Sequence, residues 1–327
     1  MLDHINIYGS NPLEVLAVLM DRREGNSDPN CKVGLVLEGG SLRGVFSCGA
    51  AHALNKHGLA NSFDVIIGTS SGALNGLYFP GNDEILASTI YEENATDPRC
   101  LNIWNFPEVL DVRWMITEWI LDKKRFSDQA VYDGHHEIFI STTDTESGET
   151  RWFSSKKDSR KNFEKSICAT AYTPIVCSQL ENIDGRHYND GYVNAALPIK
   201  KALDEGCTHV VVVPTQPWGY KKTRPGRLSG LYNSWRIRKL GNGYKQHFAR
   251  RYDSYNEALR LAEFGSEKFH TLVLAPRTKQ DIVGNLESNP KRVREAFEAS
   301  TELNYQRISE ARKTLTSIPP STEGDIG

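Results

Sequence analysis

The chain has 327 residues, 39% hydrophobic and 24% charged, which is a globular balance and rules out a disordered or low-complexity protein. Its 39 basic and 41 acidic side chains leave a net charge of −2, so the bulk charge selects no partner. No run of about 18 apolar residues occurs, which rules out a membrane-spanning helix.

Residues 1–30 read as an N-terminal extension. The stretch from Met1 to Met20 carries Asp3 and Glu14 and lacks a basic segment followed by an apolar one, so no Sec signal peptide is expected. Residues 32–37 predict a first buried strand, Glu38 to Gly44 a glycine-rich turn, and residues 45–57 a helix stopped by Gly58. Asp64-Val65-Ile66-Ile67 predicts a second strand with both faces covered, followed by Gly68-Thr69-Ser70-Ser71-Gly72 and a helix to Tyr78. This βαβα order predicts a parallel sheet with right-handed crossovers. Residues 80–126, rich in tryptophan and aliphatic side chains, read as an inserted helical cap, compatible with a lid over an apolar site.

Residues 138–143 predict a third strand, with 149–153 returning as its hairpin partner. A helix is expected over 162–171, then two short strands about Asp184-Gly185, then a turn at Asn189-Asp190-Gly191-Tyr192. Pro198 fits the first position of a helix ended by Gly206. Further strands are expected at 208–213 and 269–274, a terminal helix at 290–317 and a flexible tail at 318–327. The whole reads as one catalytic domain over 31–215, with 216–317 packing on it. Six scattered cysteines with no metal-ligand spacing predict free thiols in a reducing, cytoplasmic compartment and no metal site.

The turn around Ser70 carries the clearest chemistry. A serine between a strand and a helix, flanked by Gly68 and Gly72, is lifted clear of the backbone as a nucleophile must be. A bland small-residue turn is the alternative for such a pentapeptide. The turn Gly39-Gly40-Ser41-Leu42-Arg43-Gly44 fails as a dinucleotide fingerprint, because Ser41 replaces the middle glycine and Asp64 begins its strand. It also lacks the Gly-Lys-Ser/Thr of a phosphate loop. An oxyanion hole is the functional reading left, with amides at a helix N-terminus converging on one spot. Arg43 would steady that loop or meet an anion. For a base to serve Ser70, none of the nine histidines sits in a loop of catalytic form. Asp190, in a turn after a strand end, is the stronger candidate and His187 the fallback; taken alone, Asp190-Gly191 reads first as an ordinary turn.

Taken together, Gly39-Gly40-Ser41-Leu42-Arg43-Gly44, Gly68-Thr69-Ser70-Ser71-Gly72 and Asp190-Gly191-Tyr192 resemble the patatin-like phospholipase family, most strongly its bacterial branch. The flanks Gly34 to Glu38, Thr142 to Glu149 and Ala169 to Pro174 extend the resemblance from about Val33 to Val213. It implies a three-layer α/β sandwich with a central, mostly parallel sheet, and a Ser70–Asp190 dyad in place of a triad. It implies acyl-enzyme hydrolysis of lipid esters of the phospholipase A or lysophospholipase type, with the amides of Gly39, Gly40 and Ser41 as oxyanion donors and no cofactor. Two positions depart from the family pattern. Ser41 stands where a third glycine is usual, and Tyr192 stands where glycine or alanine is usual, either narrowing the acyl pocket or pointing into the core.

One feature lies outside that match. No acidic residue occurs from Gly206 to Tyr252, while ten Lys and Arg alternate there with Trp218, Tyr220, Tyr232, Trp235, Tyr244 and Phe248. Residues 218–251 therefore predict peripheral contact with an anionic membrane surface. Nucleic acid ranks below it, because no nucleic-acid fold signature accompanies the block. The rival functions are a catalytically weak lipid- or anion-binding protein on the same scaffold and an acyltransferase.

Overall fold

The computed structural model describes residues 6–317, so the tail expected at 318–327 lies outside the described residues. The strands are β1 (Val33–Leu37), β2 (Val65–Gly68), β3 (Glu137–Asp144), β4 (Thr150–Ser154), β5 (Glu181–Ile183), β6 (Arg186–Asp190), β7 (His209–Val213) and β8 (His270–Val273). They form one sheet in the order β5-β6-β3-β2-β1-β7-β8, with β4 also on β3. The run β3-β2-β1-β7-β8 is parallel throughout. β4 and β6 pair antiparallel to β3. The α/β sandwich with a mostly parallel central sheet is the architecture expected.

Both faces of the central strands are apolar because both are covered. Leu35 and Leu37 of β1, with Val211 and Val213 of β7, pack into one core. Val36, Val210 and Val212 alternate into the other. The first layer holds the helices Gly44–Lys56, Ser71–Tyr78 and Pro290–Ser317; Ser300 Oγ of the last donates to Phe46 O at 2.7 Å. The second layer holds Ile199–Asp204 and Asn242–Phe264.

Several local expectations shift. Pro198 is the N-cap, not the first residue, of its helix. The helix expected at 162–171 is Arg160–Ala169, started by Ser159, whose side chain accepts from Asn162 N–H. Asp190 is the last residue of β6, not a turn residue. Residues 84–123 are helical but broken into short turns: Glu84–Thr89, Ile90–Ala95, Ile103–Asn105, Val112–Met115 and Ile116–Lys123. Ile90, Met115, Ile116 and Ile120 from this stretch are buried in the first core.

The described part of the N-terminal extension packs on the core. Its helix Pro12–Arg23 buries Val15, Leu16 and Leu19 in the first core, and Tyr8 bridges to Val273 of β8. Leu16→Ala is therefore expected to lower unfolding stability by about 3 kcal/mol. Urea unfolding checks this; an unchanged midpoint would mean that the helix is peripheral.

Candidate active site

The site is set by strand lengths. On one edge of β3, residues Glu137 to Ile140 pair with β2, the last pair being Ile140 with Gly68. β3 continues past the end of β2, and β6 pairs with its next residues, Thr142 facing Asp190. β4 occupies the opposite edge. β6 thus arrives end to end with β2, and Asp190 lies just beyond Gly68, where the chain turns through Ser70.

The turn itself is tight. A Cβ at Gly72 would lie 2.4 Å from Leu37 O, and one at Gly68 would lie 2.4 Å from Ala73 Cα, so only glycine fits either flank. Ser70 sits at φ 54°, ψ −130°, a region costly for any residue with a side chain. Its N–H donates to Thr170 Oγ1 at 2.8 Å, which helps hold that conformation. The pairing of β1 with β2 brings the Gly39 loop alongside.

Ser70 and Asp190 are both buried and line one cavity. Asp190 accepts from Thr173 Oγ1 and from Tyr192 N–H at 3.0 Å. Burial pushes its carboxyl up from the ordinary 3.8 to about 6, against the opposing pull of Thr173, Tyr192 and the facing Ser70 hydroxyl. His187 is exposed beside Asn182 and lies three residues from Asp190 on the same strand, which turns it to the other face. Among the described residues no histidine lines the cavity.

The glycine-rich loop holds its amides unequally. Gly39 N–H donates to Ala196 O at 3.2 Å and Gly40 N–H to Ser71 Oγ at 3.0 Å. Ser41 N–H has no protein acceptor among the described residues. Ser41 adopts φ 54°, the left-handed conformation that the usual glycine takes freely, at a cost of about 1–2 kcal/mol.

Two spaces meet at Ser41 and Ser70. One is a narrow apolar crevice of about 60 Å³, walled by Leu74, Tyr78, Ile90, Met115 and Ile120. The other is a polar cavity of about 420 Å³, in the size range of small-ligand sites. Its wall includes Arg43, Lys222, Gln216, Tyr220 and Tyr255. Glu38 lies there too, accepting from Tyr255 Oη at 2.8 Å and from Thr215 N–H, and burial raises its pKa. Neither Arg43 nor Lys222 forms an ion pair among the described residues; Arg43 Nε is buried without an acceptor, and Lys222 Nζ lies 4.7 Å from the Tyr255 ring centre. Desolvation brings the Lys222 ammonium down to about 8.

The sequence profile of the patatin-like phospholipases matches residues 35–203. This chain belongs to the patatin-like phospholipase family. Over 191 residues it is 25% identical to the uncharacterised protein YjjU of Escherichia coli (strain K12), covering 57% of this chain and 52% of that one. Over 223 residues it is 27% identical to lysophospholipase NTE1 of Scheffersomyces stipitis, covering 63% of this chain and 13% of that one. The chain thus spans about half the length of the first relative and a small part of the second. The structure of VipD from Legionella pneumophila aligns with 86% of this chain and 67% of that one, at 12% identity and TM-score 0.39.

In this patatin-like phospholipase chain the family span supplies the Gly39 loop, Ser70 and Asp190. Gln216, Tyr220, Lys222 and Tyr255 come from beyond it. The basic block at 218–251 does not form one outward face. Arg251 is buried and donates to Phe248 O, Arg236 pairs with Glu108 at 2.7 Å, and Lys222 faces the cavity. Trp218 stacks on Tyr8, and Tyr244 and Phe248 are core residues. Tyr192 packs into that core, edge-on to Phe248, while also touching the cavity wall. Thr170 and Thr173, in the flank Ala169 to Pro174, hold the Ser70 amide and the Asp190 carboxylate, roles that no sequence motif marks.

Because the folded state raises the Asp190 pKa, it favours the protonated form. The charged form therefore costs stability, roughly 3 kcal/mol above pH 6, and that cost fades as pH falls toward 4. Asp190→Asn is expected to raise Tm at pH 8 and to match the parent near pH 4. Equal or lower Tm at pH 8 would mean that the carboxylate is well solvated.

Proposed function

We propose that this chain hydrolyses carboxylic esters of lipids, with Ser70 as nucleophile and Asp190 as its base. The observation that carries the reading is the Ser70 hydroxyl facing the Asp190 carboxylate where an apolar crevice meets a wider cavity whose wall also carries Arg43 and Lys222. Ser70 Oγ attacks the ester carbon and its proton passes to Asp190. A carboxylate with a pKa near 6 is ionised at neutral pH yet basic enough to take that proton.

The tetrahedral oxyanion is received by Ser41 N–H, joined by Gly40 N–H as it leaves Ser71 Oγ. Such a donor contributes about 3–4 kcal/mol to the transition state. Collapse expels the alcohol, which takes the proton from Asp190. Water then attacks the acyl-Ser70 ester, giving a proton to Asp190; the acyl C–Oγ bond breaks, Ser70 Oγ takes that proton back from Asp190, and the fatty acid leaves. An alcohol in place of water would give acyl transfer, which analysis of the acyl product distinguishes.

The acyl chain fits the apolar crevice, and residues 84–123 are its cap. The crevice is too narrow at rest to admit a long chain, so the cap must shift on binding. The alcohol side fits the polar cavity, where Arg43 and Lys222 offer positive charge to a phosphoryl headgroup.

Ser70→Ala is expected to abolish hydrolysis of dissolved nitrophenyl esters and labelling by a fluorophosphonate while leaving the circular dichroism spectrum unchanged. In the parent, kcat/KM should rise with pH through about 6 as Asp190 ionises. Retained turnover in Ser70→Ala would end the reading. Lys222→Met is expected to raise KM for a lysophospholipid by roughly tenfold, the worth of a charge-assisted hydrogen bond, and to leave a neutral monoacylglycerol unaffected. The parent should lose the same preference above pH 8, where Lys222 deprotonates. An equal effect on both lipids would remove Lys222 from headgroup recognition.

A further inference from the structure

Large apolar side chains are concentrated on one outer surface near the polar cavity. Trp104 is 89% exposed, Leu228 84%, Leu231 69% and Phe106 65%. They come from two separate segments. Ile103 and Trp104 lie on the short helical turn Ile103–Asn105 and Phe106 follows it, whereas Leu228, Leu231 and Trp235 lie on the helix Arg227–Arg236. The segments meet where Phe106 stacks on Tyr232, with ring centres 5.5 Å apart. Leu228, Leu231 and Trp235 are spaced three and four apart, which puts them on one stripe of the helix. No residue of that helix is buried, and Leu228 and Leu231 of its apolar stripe stay exposed among the described residues.

The surface is anchored to the cavity mouth. Tyr232 Oη donates to Ile175 O at 2.8 Å and Arg236 Nε to Pro174 O at 2.7 Å. Ile175 itself lines the cavity beside Ser70 and Asp190. Cations flank the ridge: Arg227, Arg238 and Lys239 are exposed and form no ion pair among the described residues. Among the described residues the carboxylate that pairs with this helix is Glu108, held by Arg236.

We propose that Trp104, Phe106 and the Leu228–Leu231–Trp235 stripe insert into the headgroup layer of an anionic bilayer, with Arg227, Arg238 and Lys239 on lipid phosphates. Exposed tryptophan and leucine beside unpaired cations is the chemistry of an interfacial anchor. A bilayer satisfies both features at once, whereas a partner protein would need a separate acidic and apolar match. The insertion turns the cavity mouth toward the lipid surface, so a phospholipid reaches Ser70 without crossing water. This assignment rests on the lipid-hydrolase reading and narrows the contact from the whole of 218–251 to one helix and one distant loop.

The test uses the full chain with vesicles of phosphatidylcholine, with and without phosphatidylserine, and a dissolved nitrophenyl butyrate control. The parent should sediment with the mixed vesicles more than with phosphatidylcholine alone. The triple variant Trp104→Ser/Leu228→Ser/Leu231→Ser should lose partition into mixed vesicles by at least about tenfold. The variant Arg227→Gln/Arg238→Gln/Lys239→Gln should lose the preference for phosphatidylserine. Both should keep the parent's kcat/KM on nitrophenyl butyrate. Parental vesicle binding by the triple variant overturns the proposal. So does a parent that hydrolyses nitrophenyl butyrate but ignores vesicles, an outcome that leaves the Ser70 reading standing. A parent that binds vesicles through this ridge but turns over no ester sinks the catalytic reading instead. A concentration-dependent dimer abolished by the same variants, with vesicle partition unchanged, assigns the ridge to self-association and also overturns the proposal.

Discussion

The candidate site depends on β3 being longer than β2. Its edge receives β2 first and then β6, which runs the other way and ends at Asp190. A shorter β3 would leave β6 unpaired, and the carboxylate would have no fixed place above the Ser70 turn. The second constraint is the contact between the two parallel strand-to-helix turns, where Gly72 lies against the carbonyls of Leu37 and Glu38. Ser70 is held in a costly backbone conformation by that contact and by Thr170.

Burial gives the site its electrostatic character. Asp190 and Lys222 are both pushed toward their neutral forms by loss of water, in opposite directions on the pH scale. The fold therefore carries a carboxylate that takes protons more readily than a free one and an ammonium that releases them more readily. Both features cost stability, and the large apolar cores on the two faces of the sheet offset that cost. Arg43 and Glu38 belong to the same arrangement, since Glu38 is buried among hydrogen bonds while Arg43 Nε lacks one.

Much of this was legible in order along the chain. The strand at 33–37, the Gly68–Gly72 turn and the terminal helix at 290–317 announce themselves through unbroken apolar runs, paired glycines and helical periodicity. The broken helical turns of 84–123 were less legible, because short stretches shaped by burial override propensity. The left-handed Ser41 was flagged by the missing glycine, yet only the backbone shows that serine takes the conformation. The roles of Thr170 and Thr173 are not legible locally, because their partners Ser70 and Asp190 lie 100 and 17 residues away on other elements.

By itself the amino-acid order determined the class of fold and the family motifs, since strand period, glycine spacing and turn chemistry are local properties, whereas the Ser70–Asp190 pair followed only from the family resemblance. It also marked 206–252 as one-sidedly basic. Only the tertiary structure decided which of those cations turn inward, which pair with Glu108 and which stand beside Trp104, a residue more than a hundred positions away. Charge in a sequence is a count, whereas its direction depends on which helix packs where. That packing is set by long-range burial which no local window contains.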